Sequence, residues 1–338
     1  MPLSIGKLPP DLLARLLGRV PATDPRVVVG PRPGVDAAVL DMGDRYLIAT
    51  TDPITFVAER IGRYAVHVNA NDVAVMGGTP RWLLATLLLP PGCTPTLPEA
   101  IQEQMLAACA ELGISLIGGH TEITAGLDRP IVIGTMLGEV DKDRLVLPAA
   151  RPGDRLILTK GIAVEGTAAL AVEAADALRA RGMDAATLAR AAALLERPGI
   201  SVVADARALC AAVHPHAMHD PTEGGLATAL RELAQACGVG LRVGWERIPV
   251  LPETRAVCAA LGLEPLGLLA SGALIAAVAP EDEGTALGAL TAAGVPAAVI
   301  GAVTPPDEGL MLVRGGVATS LPAFARDELA RYLEEHGT

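Results

Sequence analysis

Hydrophobic residues recur along the chain with two spacings, that of an α-helix and that of a β-strand. Residues 9–20 and 61–76 carry apolar side chains at helical spacing, and Gly77-Gly78 supplies the positive backbone angle at which helices commonly end. A third helix is predicted over residues 97–112. Short apolar segments predict strands at 37–40, 46–50, 82–89, 114–117 and 131–140, and Gly118-Gly119 is expected to end the fourth.

The second half of the chain alternates in the same way after a turn-rich segment, residues 148–154, where we place a domain boundary. Alternating strands and helices predict an α/β or α+β fold. The predicted domains are residues 1–150 and 151–338. Beyond the boundary we predict strands at 155–159, 240–244 and 273–278, helices at 222–237 and 281–293, and several further alanine-rich helices.

The composition narrows the classes of function. Hydrophobic residues make up 51% of the 338 residues and charged residues 19%, which predicts a folded chain with a sizeable core. A net charge of -11, with only two Trp, three Tyr and two Phe, argues against nucleic-acid partners. No apolar run is long enough for a membrane span or a signal peptide, and the five cysteines are scattered. We therefore expect a cytoplasmic protein with no membrane partner.

Two aspartates occupy positions that suit a bound cation. Asp36 follows a Gly/Pro-rich loop at the start of a predicted strand, and Asp52 lies at the end of the next one. Ligands collect at strand ends in α/β sheets. The structural alternative is as simple, because aspartates also form turns and end strands.

Residues 68–78 show a conflict between the local sequence and the predicted helix. Asn69, Asn71 and Asp72 are short polar residues in mid-helix, where their propensity is poor. Conflicts of this kind are typical of functional sites. We therefore expect this part of the helix to belong to one.

A glycine pair precedes polar residues in the segment Gly-Gly-His-Thr-Glu, residues 118–122. Glycines allow a backbone to approach a ligand closely. Glu122 is a candidate ligand for magnesium or a ribose hydroxyl, whereas His120 alone is as consistent with a structural role.

A second glycine pair lies in residues 219–226, His-Asp-Pro-Thr-Glu-Gly-Gly-Leu. Glycines in the first turn of a helix leave backbone N–H groups bare at the positive end of its dipole, which favours an anion. Asp220 could accept a metal ion or cap the helix.

The chain contains three lysines, Lys7, Lys142 and Lys160, and Lys160 ends a predicted strand close to the boundary. Lys160 is our candidate for a phosphate or substrate contact, although a solvated strand-end lysine explains it equally well. The sequence has no Walker loop and no GxGxxG motif opening a helix. Acidic residues and glycine turns without such a loop predict that magnesium holds phosphates in another manner.

Five motifs, taken in order, resemble the superfamily of aminoimidazole-ribonucleotide synthase, the PurM-like proteins. They are DAAVL from residue 36, TTD from 50, NDVAVMGG from 71, GGHTE from 118 and HDPTEGGL from 219. The superfamily includes formylglycinamidine ribonucleotide synthetase, selenophosphate synthetase, thiamine-monophosphate kinase and the HypE group of hydrogenase-maturation proteins. The resemblance extends over residues 9–305, and residues 248–274 look most like the HypE group.

The resemblance implies a two-domain PurM-like fold, in which an N-terminal mixed sheet forms a barrel with that of a second subunit and a C-terminal α/β domain follows. It implies ATP near the subunit interface and Mg²⁺ held by Asp36, Asp52 and Asp72. Catalytic roles would fall to Asp72 and Asp220, beside our own candidate Lys160. The implied nucleotide-binding residues are Asn71, Gly118, Gly119, His120, Thr121, Glu122, Gly224 and Gly225.

The chain departs from the HypE pattern in three places. A single Asp36 after Val35 replaces a paired Asp-Asp, and residues 159–167 replace an expected Gly-Asp-His-Gly turn. HypE proteins end in a cysteine that reacts, whereas the last cysteine of this sequence is Cys258. We therefore expect an ATP-dependent phosphorylating enzyme with an unidentified small or peptide-borne acceptor, working as a homodimer with a maturation factor as partner. The alternatives are a nucleotide-binding maturation scaffold without turnover and a small-molecule kinase similar to thiamine-monophosphate kinase.

Overall fold

The computed structural model describes residues 6–21, 23–55 and 60–336. Its α-helices are α1 Pro10–Leu17, α2 Ile61–Val75, α3 Thr96–Leu112, α4 Val164–Glu173, α5 Ala175–Ala180, α6 Ala185–Ala192, α7 Val203–Ala212, α8 Gly225–Cys237, α9 Pro252–Leu261, α10 Glu283–Ala292 and α11 Glu328–His336. Its strands are β1 Val27–Val29, β2 Ala38–Asp41, β3 Arg45–Ile54, β4 Thr79–Leu89, β5 Ser115–Ile123, β6 Ile131–Asp141, β7 Arg155–Thr159, β8 Ala217–His219, β9 Gly240–Gly244, β10 Ile275–Val278, β11 Ala297–Thr304, β12 Leu310–Arg314 and β13 Val317–Ser320.

The chain divides into two compact units. The N-terminal unit consists of Ala22–Pro31 and Asp36–Leu145, and the C-terminal unit of Met1–Pro21, Arg32–Val35 and Val146–Thr338. The change of unit after residue 145 lies close to the boundary predicted after residue 150. The early residues group with the C-terminal unit because the backbone N–H of Lys7 donates a 2.9 Å hydrogen bond to Glu223, a contact between distant parts of the sequence.

The N-terminal unit is built on one mixed sheet with strand order β1-β2-β3-β6-β4-β5. Strands β4 and β5 are parallel, and the remaining neighbours are antiparallel. Every second residue of β6 from Val132 to Val140 is buried, and α2 packs on that side of β3 and β6. The other side of the sheet carries half-buried residues such as Leu137. Covering one face only gives the sheet the alternation of buried and exposed positions seen in its sequence.

Helix α2 ends as its sequence predicts. Gly77 adopts φ +78°, and the N–H groups of Gly77 and Gly78 bond to the carbonyls of Ala74 and Val73 at 2.9 and 3.1 Å. The side chain of Ile48 on β3 occupies the space that a Cβ at Gly78 would need. The two glycines therefore end the helix and leave room for the side chain of Ile48.

Two expected strand ends are wrong. Strand β3 continues through Asp52 to Ile54, and β5 continues through Gly118-Gly119 to Ile123. Gly119 adopts φ +152° opposite Ala85, whose carbonyl oxygen fills the position of a Cβ. The glycine at position 119 therefore allows β5 to continue in close pairing with β4, whereas the sequence alone had indicated that the strand ends there.

The C-terminal unit contains a seven-stranded sheet with order β13-β12-β9-β11-β7-β10-β8. One buried cluster joins this sheet to α8, and a second joins α4, α6, α9 and α11. Helix α8 begins at Gly225, three residues later than predicted, and the sequence pattern had indicated neither β11–β13 nor α11. In the parts of the chain that the structure describes, no helix combines the length and the apolar character needed to cross a membrane.

Candidate functional site

A buried polar cluster joins β3 to α2 in the N-terminal unit. The hydroxyl oxygen of Thr50 lies 2.7 Å from Oδ2 of Asp72 and 3.0 Å from the backbone carbonyl oxygen of Asp36. Thr50 and Asp72 are both buried. One short side chain therefore fixes the position of the Asp72 carboxylate relative to Asp36, which lies two residues before β2.

Asn69 holds the next part of β3 in a similar way. Its Oδ1 accepts the backbone N–H of Asp52 at 2.9 Å, and its Nδ2 donates to the carbonyl oxygens of Ala65 at 2.9 Å and of Asp52 at 3.3 Å. Gly134 on β6 lacks the Cβ that would occupy the position of this amide. The poor helix former in mid-helix is thus a link between α2 and β3.

These two links tie the backbones of two predicted site residues, Asp36 and Asp52, to helix α2, which carries the third, Asp72. Asp52 lies two residues after Thr50 on the same strand, and a fully buried Asn71 precedes Asp72 on α2. Burying a carboxylate is costly unless a partner compensates for the lost hydration. Carboxylate oxygens are ligands that Mg²⁺ prefers, so the side chains of these three aspartates are chemically suited to a magnesium ion.

The predicted residues 118–122 lie elsewhere in the same sheet. They belong to the edge strand β5, which β4 and β6 separate from β3, a distance of about 14 Å at the usual strand spacing. His120 and Glu122 are exposed, and Nε2 of His120 lies 3.2 Å from Oε2 of Glu122. Hydrogen bonds from Thr124 and, to a smaller extent, from His120 lower the pKa of Glu122. Within one chain, the structure does not bring this group to the aspartates.

The glycine turn before α8 differs from its predicted chemistry. The N–H of Gly224 donates to Oδ2 of Asp327 at 2.7 Å, and the N–H of Gly225 donates to the carbonyl oxygen of Thr222 at 3.1 Å. The prediction that these N–H groups are bare is therefore wrong. Asp220 is buried at the start of this turn.

His219, next to Asp220, contacts an acidic residue of α8. Its Nε2 lies 3.1 Å from Oε2 of Glu232, and Nζ of Lys7 lies 3.2 Å from Oε1 of the same residue. Burial acts to raise the pKa of Glu232, but the hydrogen bond from His219 and the charge of Lys7 outweigh it and lower that pKa to about 2. Glu232 therefore remains ionised and ties residue 7 to the glycine turn.

Lys160 is buried rather than solvated. It adopts φ +57° directly after β7, and its Nζ lies 3.0 Å from Oδ2 of Asp205 and 2.6 Å from the carbonyl oxygen of Ser201. Thr159 donates a 2.7 Å hydrogen bond to the same carboxylate. Burial lowers the pKa of Lys160, although the neighbouring Asp205 acts in the opposite direction.

Two buried acids of the C-terminal unit were not predicted. Burial raises the pKa of Glu165 to about 7 and that of Asp327 to about 6. Glu165 lies in the segment that departs from the HypE pattern, so that departure was the available signal. Asp327 lies beyond the last predicted element, and the sequence carried no signal for it.

Comparison with known proteins matches both halves of the chain to family models. Residues 34–140 match the N-terminal domain and residues 151–313 the C-terminal domain of AIR synthase related proteins. The carbamoyl dehydratase HypE of Rhizobium leguminosarum is 35% identical over 280 residues, which cover 80% of this chain and 77% of that protein. A crystal structure of the hydrogenase maturation protein HypE in complex with ATP is 25% identical, with a TM-score of 0.71 and coverage of 93% and 91%.

Two further crystal structures share the fold at lower identity. A HypE–HypF complex is 20% identical with a TM-score of 0.69, over 85% of this chain and 93% of that one. Thiamine monophosphate kinase from Aquifex aeolicus is 21% identical with a TM-score of 0.68, over 92% and 97%. The predicted two-domain PurM-like fold is thereby confirmed.

Proposed function

Because the chain belongs to the family of AIR synthase related proteins, we propose that it is an ATP- and Mg²⁺-dependent enzyme that phosphorylates a small or peptide-borne acceptor. The observation that carries the proposal is that Thr50 links the carboxylate of Asp72 to the backbone of Asp36, while Asn69 holds the backbone of Asp52 beside the same helix. The buried carboxylate of Asp72 and the half-buried residues Asp36 and Asp52 supply the kind of oxygen donor that magnesium prefers. The similarity to HypE, which has been crystallised with ATP, supports the choice of nucleotide.

In this proposal the three aspartates hold Mg²⁺, which neutralises the charge of the nucleotide phosphates. Thr50 keeps the carboxylate of Asp72 in position before the nucleotide arrives, and Asn69 does the same for the backbone of Asp52. Phosphoryl transfer depends mostly on positioning and on electrostatic stabilisation, so a rigid donor set of this kind contributes directly to the rate. We also propose nucleotide contacts for Asn71, residues 118–122, Gly224 and Gly225, and catalytic roles for Asp220 and Lys160.

The test is titration of the protein with Mg-ATP in a calorimeter, together with a measurement of phosphate release. Asp72→Asn should weaken binding at least about tenfold, since one charge-assisted contact contributes 1.5–3 kcal/mol. Asp143→Asn is a matched control, because Asp143 is exposed on the turn after β6. Asp36→Asn, at a half-buried position, gives a second variant if Asp72→Asn fails to fold.

The outcomes separate the proposal from its rivals. Binding with phosphate release that Asp72→Asn abolishes supports the enzyme. Binding without any turnover, in the presence of carboxamide and alcohol acceptors, would favour the maturation scaffold. No heat with Mg-ATP would reject both.

We also propose that two copies associate through the uncovered face of the N-terminal sheet. A hollow of about 580 Å³ on the N-terminal unit is lined by residues that include Leu47, Trp82, Ile117 and Leu137. Ile117 is 53% exposed and Leu84 36% exposed, although both are large and apolar. Contiguous apolar surface of this kind is typical of an interface.

Light scattering tests the association. The wild-type protein should show twice the 34.6 kDa chain mass at micromolar concentration, and the double variant Leu84→Lys/Ile117→Lys should show the single mass. Val317→Lys is the control, because Val317 is 65% exposed on β13 of the other unit. A wild-type mass of one chain would reject the proposal.

A further inference from the structure

A short segment of the C-terminal unit, residues 266–271, connects the beginning of α4 to the glycine turn before α8. On one side, the carbonyl oxygen of Leu269 accepts the N–H of Gly166 at 2.9 Å. On the other, the N–H of Ala270 donates to the carbonyl oxygen of Thr222 at 3.2 Å. The turn and the helix are therefore coupled through two consecutive positions of one segment.

Asp327 adds three hydrogen bonds to the same connection. Its carboxylate accepts the N–H of Gly224 at 2.7 Å, of Leu269 at 3.3 Å and of Leu329 at 2.7 Å. These donors belong to the glycine turn, to the connecting segment and to the first turn of α11. The carboxylate can hold all three only while its surroundings tolerate a buried charge.

Glu165 lies beside this network and has an unsatisfied atom. Its side chain is 6% exposed, and its Oε2 is buried without a hydrogen-bond partner among the described residues. Burial raises the pKa of the Glu165 carboxyl to about 7, and the nearby charges of Asp327 and Asp220 act in the same direction. Hydrogen bonds from the side chain and backbone of Ser271 lower this pKa, but they do not outweigh burial. Near neutral pH, Glu165 is therefore balanced between a neutral acid and a third buried carboxylate.

The neighbouring charges offer Glu165 no relief when it ionises. Asp327 and Asp220 face it, and Glu223 in turn acts on Asp327. Two arginines on adjoining elements are paired with other carboxylates, since Nη2 of Arg331 lies 2.8 Å from Glu328 and Nε of Arg190 lies 2.9 Å from Glu253. Ionisation of Glu165 therefore adds repulsion within the network that holds the turn.

We infer that Glu165 is a positioning residue for the turn of residues 220–225, and that this turn is held firmly only while Glu165 carries its proton. The inference deepens the proposed function, because the turn carries Asp220, but its first test does not depend on ATP. Loss of the proton loosens the contacts that Asp327 makes with Gly224 and Leu269.

The proton linkage has a definite sign. The pKa of Glu165 in the folded protein, about 7, lies above its ordinary value of 4.5. Its contribution to stability is therefore complete below pH 4.5 and is lost as the pH rises through about 7. The unfolding constant of the wild type, divided by that of Glu165→Gln, should rise on the order of a hundredfold between pH 4.5 and pH 8.

Hydrogen exchange at the N–H groups of Gly224 and Leu269 reports on the turn itself. We expect their protection in the wild type, relative to Glu165→Gln at the same pH, to fall about tenfold or more between pH 5.5 and pH 8.5. Comparison at equal pH removes the intrinsic pH dependence of exchange. Glu173→Gln, at the exposed end of the same helix, should behave as the wild type.

Ser271→Ala gives an independent check, because the shift that we expect from it would not occur if Glu165 had a merely structural role. It removes a hydrogen bond that lowers the pKa of Glu165, so the midpoint of the loss in protection should move to higher pH. Equal pH dependence in the wild type and in Glu165→Gln, or an unmoved midpoint in Ser271→Ala, would overturn the inference.

A parallel Mg-ATP titration of the same proteins separates this inference from the proposed function. If the nucleotide binds to neither protein while the exchange still depends on Glu165, the proposed function fails and the positioning role stands. If the nucleotide binds equally to both proteins at every pH and the exchange does not depend on Glu165, the positioning role fails and the proposed function stands.

Discussion

Nζ of Lys160 lies 3.0 Å from Oδ2 of Asp205, and both side chains are buried in the C-terminal unit. The pair fixes the end of β7 to the start of α7, with Thr159 and Ser201 completing its hydrogen bonds. A buried charge left without its partner is strongly unfavourable, whereas a complete pair contributes much less than its Coulomb energy suggests.

We therefore expect Lys160→Met alone and Asp205→Asn alone each to lower the free energy of unfolding by about 3–5 kcal/mol. The double variant should recover much of that loss, because it leaves no unpaired buried charge. Urea unfolding of the four proteins measures the coupling. Additive effects of the two single changes would show that the pair is not a unit.

Thr50→Val tests the organisation of the aspartate cluster. The change removes the hydroxyl that lies between Asp72 and the carbonyl of Asp36, and a buried acceptor without its donor costs about 1–3 kcal/mol. We expect that loss in urea unfolding and weaker Mg-ATP binding by calorimetry. Thr51→Val is the matched control, because Thr51 bonds to the carbonyl of Gly134 and its side chain is exposed; equal effects of the two changes on nucleotide binding would argue against the site.

Gly119→Ala should destabilise the edge of the N-terminal sheet. Gly119 has φ +152°, and the carbonyl of Ala85 occupies the position of the added methyl group. We expect a loss of about 3 kcal/mol or more in urea unfolding, because backbone strain and overlap act together. Gly126→Ala separates the two causes, since Gly126 has φ +81° with open space around it and should lose only about 1–2 kcal/mol.

Glu232→Gln should change the response of the protein to acid. The folded-state pKa of Glu232, about 2, lies below its ordinary value of 4.5, so its contribution to stability is present above pH 4.5 and disappears as the pH falls through about 2. The wild type should therefore lose more stability than Glu232→Gln between pH 5 and pH 2.5. Glu103→Gln, at an exposed position on α3, serves as the control, and identical acid profiles for all three proteins would contradict the interpretation.

The sequence pattern predicted the elements whose periodicity is strong. The helix at 61–76 and the strands at 131–140 and 155–159 lie within one or a few residues of their observed limits. Strands β11 and β12 were not indicated, because they are stabilised by pairing with β7 and β9 far away in the chain. Local propensity carries no information about such pairs.

The candidate site shows the same division. The conflict at Asn69–Asp72 was visible because polar residues interrupt an apolar helix, yet the partner Thr50 was visible only in the fold. The bare N–H groups expected at Gly224 and Gly225 are occupied, the first by Asp327, which directly precedes a helix that no pattern had indicated, and the second by the carbonyl oxygen of Thr222. Residues that meet across more than a hundred positions of sequence are determined by topology and not by spacing.

The grouping of Met1–Pro21 with Val146–Thr338 has a consequence for biosynthesis. Lys7 leaves the ribosome early, but Glu223 and Glu232, with which it bonds, are translated more than two hundred residues later. At ordinary elongation rates of about 5–20 residues per second, these partners are synthesised on the order of ten seconds or more after Lys7. The N-terminal unit is complete by residue 145 and has time to fold first, so we expect the beginning of the chain to dock in one of the last steps of maturation.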